Sequence, residues 1–242
     1  MIEAQRDLVA SLEERRDAVV LQLVRGDGCE WPYRPLKHFV RRVSGSGFPV
    51  EEQGIEGLPL PFYKVSALAP AGRDGRITEV YDTIDHVTAR RLGAKVVPAG
   101  SPVMAKIGAA VLLGRVRQVT QDCCVDNNMV ALVTNGLMDD RFAYFALQQF
   151  DIKYFVNPGT LPFLNERSLL DAPIPVPSIE EQHAIAAELD RATARMDDMI
   201  DAANEFIALM QERRAALVSA AVAGRVDPRT GKEYPITPKE TP

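Results

Sequence analysis

From Ile179 to Ala223 the chain contains neither proline nor glycine, and Ala, Glu, Leu, Met, Arg and Asp dominate the segment. Most of these are good or tolerable helix formers, so one helix is expected, roughly 67 Å long at about 1.5 Å per residue. Its start is marked by Pro173, Pro175 and Pro177, which exclude helix upstream, and by Ser178, which can cap the first turn and form a capping box with Glu181. Gly224, followed by Pro228, marks its stop.

Within this helix Ile185, Leu189, Ala192, Met196, Met199, Ala203, Phe206, Met210, Arg213, Leu217 and Ala220 recur at alternating steps of four and three residues, which is a heptad seam. Only Arg213 interrupts it, and the alanines allow close approach of one partner helix. An amphipathic helix lying on its own domain would show a similar stripe, but the expected length is too great for that to explain all of it.

The beginning of the chain repeats the end of the helix. Setting Met1–Gly26 beside Met199–Gly224 aligns identical residues at eleven of 26 gapless positions, among them Ile2/Ile200, Arg15/Arg213, Arg16/Arg214, Val20/Val218 and Val24/Val222. Unrelated sequences would match at roughly one position in sixteen. A duplicated helix end is the better explanation, and it makes the region between the copies a unit that a duplicated gene could carry twice.

That region, residues 31–177, is expected to be one mixed α/β domain. Phe62–Val65, Lys95–Val97, Val103–Ile107, Ala109–Val116 and Met129–Thr134 have the composition of strands, whereas Pro35–Arg42 and Asp140–Gln149 have that of helices. Loops are expected at Ser44–Phe48 and Ala69–Arg76, and residues 225–242, rich in proline and mixed charge, read as a flexible tail. The fold class is therefore α/β, with one domain carried on long coiled-coil helices.

Composition excludes several functions. The chain is 46% hydrophobic and 25% charged, which is ordinary for a soluble globular protein. It has no apolar run long enough to span a membrane and no apolar signal core at its start, so a cytoplasmic location is expected. Cys29, Cys123 and Cys124 have neither zinc-site spacing nor an even disulfide count and read as buried thiols. His38, His86 and His183 are dispersed, with no metal-ligand spacing to the cysteines. Phosphate loop, dinucleotide fingerprint and nucleophile elbow are all lacking. Asn157-Pro158-Gly159 lacks the second proline and the aromatic residue of an amino-methyltransferase motif. No catalytic residue, metal site or cofactor site is assigned.

A net charge of −5 argues against charge-driven binding over the whole surface. The acid is concentrated in the helix, however. Residues 31–178 carry 16 Lys and Arg against 14 Asp and Glu, whereas residues 179–224 carry 4 against 9. DNA recognition needs cations for phosphates and side chains that pair with base edges, typically Arg or Lys with guanine and Asn or Gln with adenine. The candidates are Lys64, Arg73, Arg76, Arg90, Arg91, Lys106, Arg115, Arg117, Asn127 and Asn128, with Gln121 nearby in sequence. For any single one a solvated surface charge is the commoner explanation; together in one domain they favour DNA binding.

The chain resembles the specificity subunits of type I restriction-modification systems. The resemblance is carried by Gly159-Thr-Leu-Pro-Phe-Leu164, then by Ile174-Pro-Val-Pro-Ser-Ile-Glu-Glu-Gln182, with His183-Ala-Ile185 and Leu189-Asp190 following. Pro61-Phe-Tyr-Lys-Val-Ser66 and Gly100-Ser-Pro-Val-Met-Ala-Lys-Ile-Gly108 are similar to two strands of such domains. Of these, the proline-to-Gln182 junction is the specific signal. Subunits of this family carry two target-recognition domains on two antiparallel helices, each domain reading half of a bipartite site; here there is one domain, so the resemblance implies a half-length form. It further implies double-stranded DNA, methyltransferase subunits and a motor-endonuclease subunit as partners. S-adenosylmethionine, ATP and Mg²⁺ would belong to those partners, leaving this chain non-catalytic.

In this reading a bare monomer would leave the seam in water. The chain is therefore expected to form a homodimer through Ile185, Leu189, Met196, Met199, Phe206, Met210 and Leu217, and to read a two-fold symmetric, interrupted site. Competing readings are a coiled-coil scaffold whose middle domain binds another protein, and a restriction component with catalysis of its own.

Overall fold

The computed structural model of the chain describes residues 2–26 and 28–223. The described residues form two compact units, one within residues 17–194 and the other of residues 2–16 with 195–223. The larger unit thus extends beyond the expected domain at 31–177 on both sides, taking in residues 17–30 and the first turns of the long helix.

In chain order the elements are helix α1 (Ile2–Arg25), strands β1 (Tyr33–Pro35), β2 (Val40–Ser44), β3 (Leu60–Tyr63), β4 (Arg76–Ile77) and β5 (Thr83–Ile84), and helix α2 (His86–Arg91). Strands β6 (Pro102–Ala105), β7 (Val116–Val119), β8 (Cys124–Val125) and β9 (Met129–Thr134) precede helix α3 (Asp140–Gln148). Strands β10 (Val156–Asn157) and β11 (Phe163–Leu164), helix α4 (Glu166–Asp171), strand β12 (Pro173–Pro175) and helix α5 (Ile179–Val222) complete the described chain.

The larger unit is a mixed α/β domain around a five-stranded sheet of order β2-β9-β6-β7-β4, antiparallel except where β4 runs parallel to β7. Helix α3 lies on this sheet with every side chain from Arg141 to Leu147 buried. Its start is fixed by Asp139, whose carboxylate accepts the Phe142 N–H at 2.8 Å. A second sheet, β5-β3-β8, stands beside the first. Val20, Val24, Ala186 and Leu189 join the main core, so the near ends of α1 and α5 belong to the domain rather than to a separate stalk.

The junction before α5 forms as expected. Ser178 Oγ accepts the Glu181 N–H at 3.3 Å while the Glu181 carboxylate accepts the Ser178 N–H at 2.8 Å, which is the reciprocal capping box. The Ser178 N–H first, then the Ser178 hydroxyl and the Trp31 side chain, donate to the Glu181 carboxyl and hold it below its ordinary pKa. Pro173–Pro175 pairs with Tyr33–Pro35, tying the end of the domain to its beginning. The stop at Gly224 and the tail at 225–242 lie outside the described residues.

Four local expectations are corrected. Pro35–Arg42 is not a helix: a single 3-10 turn at Leu36–His38 leads into β2, which pairs with β9 from Val40↔Thr134 to Ser44↔Val130. Ala109–Val116 is a 3-10 turn over Ala109–Leu113, bracketed by Gly108 and Gly114 with φ of 88° and 58°. Such left-handed backbone breaks a strand, and only Val116 onward is extended. Lys95–Val97 contributes a single bridge, Val97↔Cys123. Finally, Cys123 and Cys124 are buried, with burial raising both thiol pKa values, Cys124 to about 11, but Cys29 is exposed.

In the smaller unit α1 packs along α5. Arg16 Nε meets Asp197 Oδ1 at 3.0 Å, and Ile2, Glu3 and Arg6 share a cleft with Met210, Gln211 and Arg214, so the two helices run antiparallel. Part of the seam is thus covered within the monomer, contrary to the expectation that all of it lies in water. Its face is also rotated by one position in alternate steps: Met196, Ile200 and Ala203 are buried, while Met199 is 53% and Leu217 43% exposed. Ile185, Phe206 and Met210 are partly buried, and Leu189 lies wholly inside the core of the larger unit.

Candidate nucleic-acid interface

Strands β3 and β8 run parallel in the register Phe62↔Cys124 and Tyr63↔Val125, so both leave the small sheet at the same end. The next residues are Lys64 and Asp126. Asp126 N–H donates to Tyr63 O at 2.9 Å, while its carboxylate accepts the Asn128 N–H at 2.8 Å and its carbonyl the Met129 N–H at 3.0 Å. This Asx turn holds Asn127 and Asn128 between the two sheets. Beyond it β9 pairs with β6 at Ala105↔Met129, and Lys106 N–H donates to Asn128 O at 2.8 Å. Non-local pairing therefore brings Lys64, Lys106, Asn127 and Asn128 around Asp126.

Asp126 organises this group and is 8% exposed. Burial raises its pKa; the Asn128 and Val65 N–H groups and the charges of Lys64 and Lys106 act against that rise. On the far side of the turn Ser46 bridges Asp126, and a Cβ at Gly45 would lie 1.8 Å from Asp126 O, so only glycine permits that approach. Asn127 is exposed, and Asn128 and Lys106 are half-buried. Lys64 is the most constrained: Nζ reaches Asp82 Oδ2 at 2.7 Å and Gln53 Oε1 at 3.2 Å and lies 5.8 Å above the Phe48 ring, which stacks on Phe62. Arg115 is exposed and precedes Val116, whose partner is Met104, so it leaves the large sheet at the end where Lys106 does.

The remaining candidates lie elsewhere. Arg76 contacts Asp74 at 2.9 Å and Asp190 at 3.4 Å. Arg117 donates to the carbonyls of Leu68 and Val116 at 3.0 and 2.9 Å. Arg91 is paired with Glu52, Arg90 lies in the last turn of α2 and Arg73 in the turn before β4, and all three are exposed. Gln121 is exposed.

Sequence reasoning missed Arg141. It is 8% exposed, donates to Asp190 Oδ1, Gln118 Oε1 and Asp74 O at 2.8, 3.0 and 2.8 Å, and its guanidinium lies 4.4 and 4.6 Å from the Tyr144 and Phe145 ring centres. A single arginine inside the apolar run of α3 was the available signal. With Asp74, Arg76 and Asp190 it forms a polar network joining β4, α3 and α5.

Residues 86–205 match the model of the type I restriction modification DNA specificity domain. Over these residues the chain is similar to the specificity domain of that family. The matched segment holds Arg90, Arg91, Lys106, Arg115, Arg117, Asn127 and Asn128. No curated protein sequence matches the chain. Among solved structures it is similar to the HsdS subunit of Thermoanaerobacter tengcongensis, at 17% identity and a TM-score of 0.60 over 91% of this chain and 53% of that one. It is also similar to a chain from a structure of type I R-M complex assembly and conformational transition, at 18% and 0.63, covering 91% and 56%. The S subunit from M. genitalium gives 17% and 0.54, covering 86% and 55%. The chain therefore shares their fold and spans little more than half the length of each. Among the described residues no helix is long and apolar enough to cross a membrane.

Proposed function

We propose that this chain is a non-catalytic DNA reader, one half of a type I specificity assembly, which directs methyltransferase and motor-endonuclease subunits to its target. The observation that carries this is the convergence of Lys64, Lys106, Asn127 and Asn128 at one end of both sheets, in a chain similar to a specificity domain. Lysines neutralise phosphates and set orientation, while asparagine amides can pair with adenine edges. Arg115 at the same sheet end, together with Arg90 on an exposed turn, supplies further cations for groove or backbone contact. Arg76, Arg91 and Arg117, already engaged within the chain, hold the loops in place.

Two copies of one reader would recognise two identical, inverted half-sites, with centres about one DNA turn, roughly 34–36 Å, apart. S-adenosylmethionine, ATP and Mg²⁺ would act on the partner subunits. The test is a salt titration of binding to random duplexes and to duplexes enriched by selection. A reader gives a specificity ratio of at least about 10³ with a steep salt slope, whereas a protein-binding scaffold gives neither. Cleavage or methylation by the purified chain alone would contradict the non-catalytic assignment.

A further inference from the structure

The face of α1 that packs on α5 keeps its character in the repeat at four of five positions, two of them identical. Ile2, Gln5, Val9, Leu12 and Arg16 are its partly or fully buried positions between residues 2 and 16. Their counterparts in the repeat are Ile200, Ala203, Ile207, Met210 and Arg214. The first four of these are in turn the inward positions of α5, with Ile200 0% and Ala203 5% exposed. Helix α1 thus presents to α5 a face similar to that of α5 itself, differing in polarity only at Gln5.

We infer that α1 is an internal stand-in for the α5 helix of a second copy, and that the two compete for one face. This rests on the proposed pairing of two readers and supplies its mechanism. Arg16 bonds Asp197 at 3.0 Å, with both side chains largely buried. Its counterpart is Arg214, whose side chain is exposed. When α1 leaves, the partner's Arg214 takes the place of Arg16 against Asp197, and by two-fold symmetry Arg214 meets the partner's Asp197. The axis then lies midway between Asp197 and Arg214, at Glu205–Phe206. Leu217 and Val218, 43% and 57% exposed beyond the reach of α1, gain cover in the same step because a full-length α5 of the partner extends past the end of α1. A tethered helix meets its site at a high effective concentration, so docked α1 lowers apparent dimer affinity, and releasing it raises that affinity.

The two arginines separate the two states. Arg16→Asp sets a second carboxylate against Asp197 only in the masked monomer, whereas Arg214→Asp does so only in the dimer. Dimer dissociation constants are measured by sedimentation of the full chain without DNA. Arg16→Asp is expected to tighten the dimer at least tenfold, and Arg214→Asp to weaken it at least tenfold. A chain lacking residues 2–16 keeps Val20 and Val24 for the core and should dimerise at least as tightly as Arg16→Asp. Shifts of both point variants in the same direction, an unchanged constant in either, or a monomeric deletion chain would overturn the inference. Selection of DNA by the same proteins is read separately. A preserved target motif with none of the predicted shifts leaves the DNA-reading function standing and removes the competition; the predicted shifts without any motif do the reverse.

Discussion

Arg141 Nε donates to Asp190 Oδ1 at 2.8 Å, joining a helix on the main sheet to the long helix that leaves the domain. The guanidinium side chain is 10% exposed and the carboxylate 35%, so the two ends of this bond respond differently to substitution. Arg141→Ala leaves Gln118 and the Asp74 carbonyl short of a donor inside the domain and should cost about 3 kcal/mol. Asp190→Asn, at the wetter end, should cost less. Urea unfolding midpoints check this order, and equal costs would show that the network does not act through its buried side.

Ser178→Ala removes the side-chain half of the capping box and should destabilise the domain by about 1 kcal/mol. DNA sequence preference should stay unchanged, because Ser178 belongs to the junction and not to the reading end. Thermal denaturation and competition binding measure the two effects independently; a changed preference at unchanged stability would reassign this segment.

Lys106→Ala should weaken binding to all duplexes alike and reduce the salt slope by about 1, the signature of one phosphate contact. Asn127→Ala and Asn128→Ala should instead relax preference at single base positions. Lys64→Ala is a less clean probe, because it leaves the Asp82 carboxylate, 5% exposed, with the Gly54 N–H at 2.7 Å but no cation. It should lower stability together with affinity. Fluorescence anisotropy across a salt series distinguishes these cases, and unchanged affinity in Lys106→Ala would remove that residue from the interface.

Burial alone would raise the Asp74 carboxyl, but the Arg76 N–H and guanidinium, with Arg141, outweigh it and hold the pKa below the ordinary value. A depressed folded pKa contributes stability that is present above the unfolded value, near 4, and is lost as the pH falls through the folded value. Asp74→Asn should therefore lower the thermal midpoint near neutral pH, with the difference from the parent chain shrinking below about pH 4. A difference that persists at pH 2 would mean that packing, not charge, is responsible.

What the sequence made legible was local. The Ser178–Glu181 box lies within one turn, so its residue types suffice to announce it. Val40–Ser44 could not be read the same way: its helix-compatible pattern is overruled by pairing with Met129–Thr134, nearly a whole domain away in sequence. The seam was legible in period but not in phase. Positions 189, 196, 203 and 210 belong to both possible frames, and apolar Met199 and Phe206 beside Ile200 and Ile207 leave the choice to the position of α1. The ten DNA candidates were chosen as residue types; strand pairing then gathers four of them around Asp126, an aspartate that no DNA-contact pattern would single out.

Selection from a pool of randomised duplexes by the purified chain tests the DNA-reading assignment most directly. The expected result is one recurring motif, two inverted half-sites separated by a spacer of constant length, which Asn128→Ala relaxes at one position in each half. Recovery of sequences indistinguishable from the input pool, at a salt concentration where the chain still binds, would contradict it.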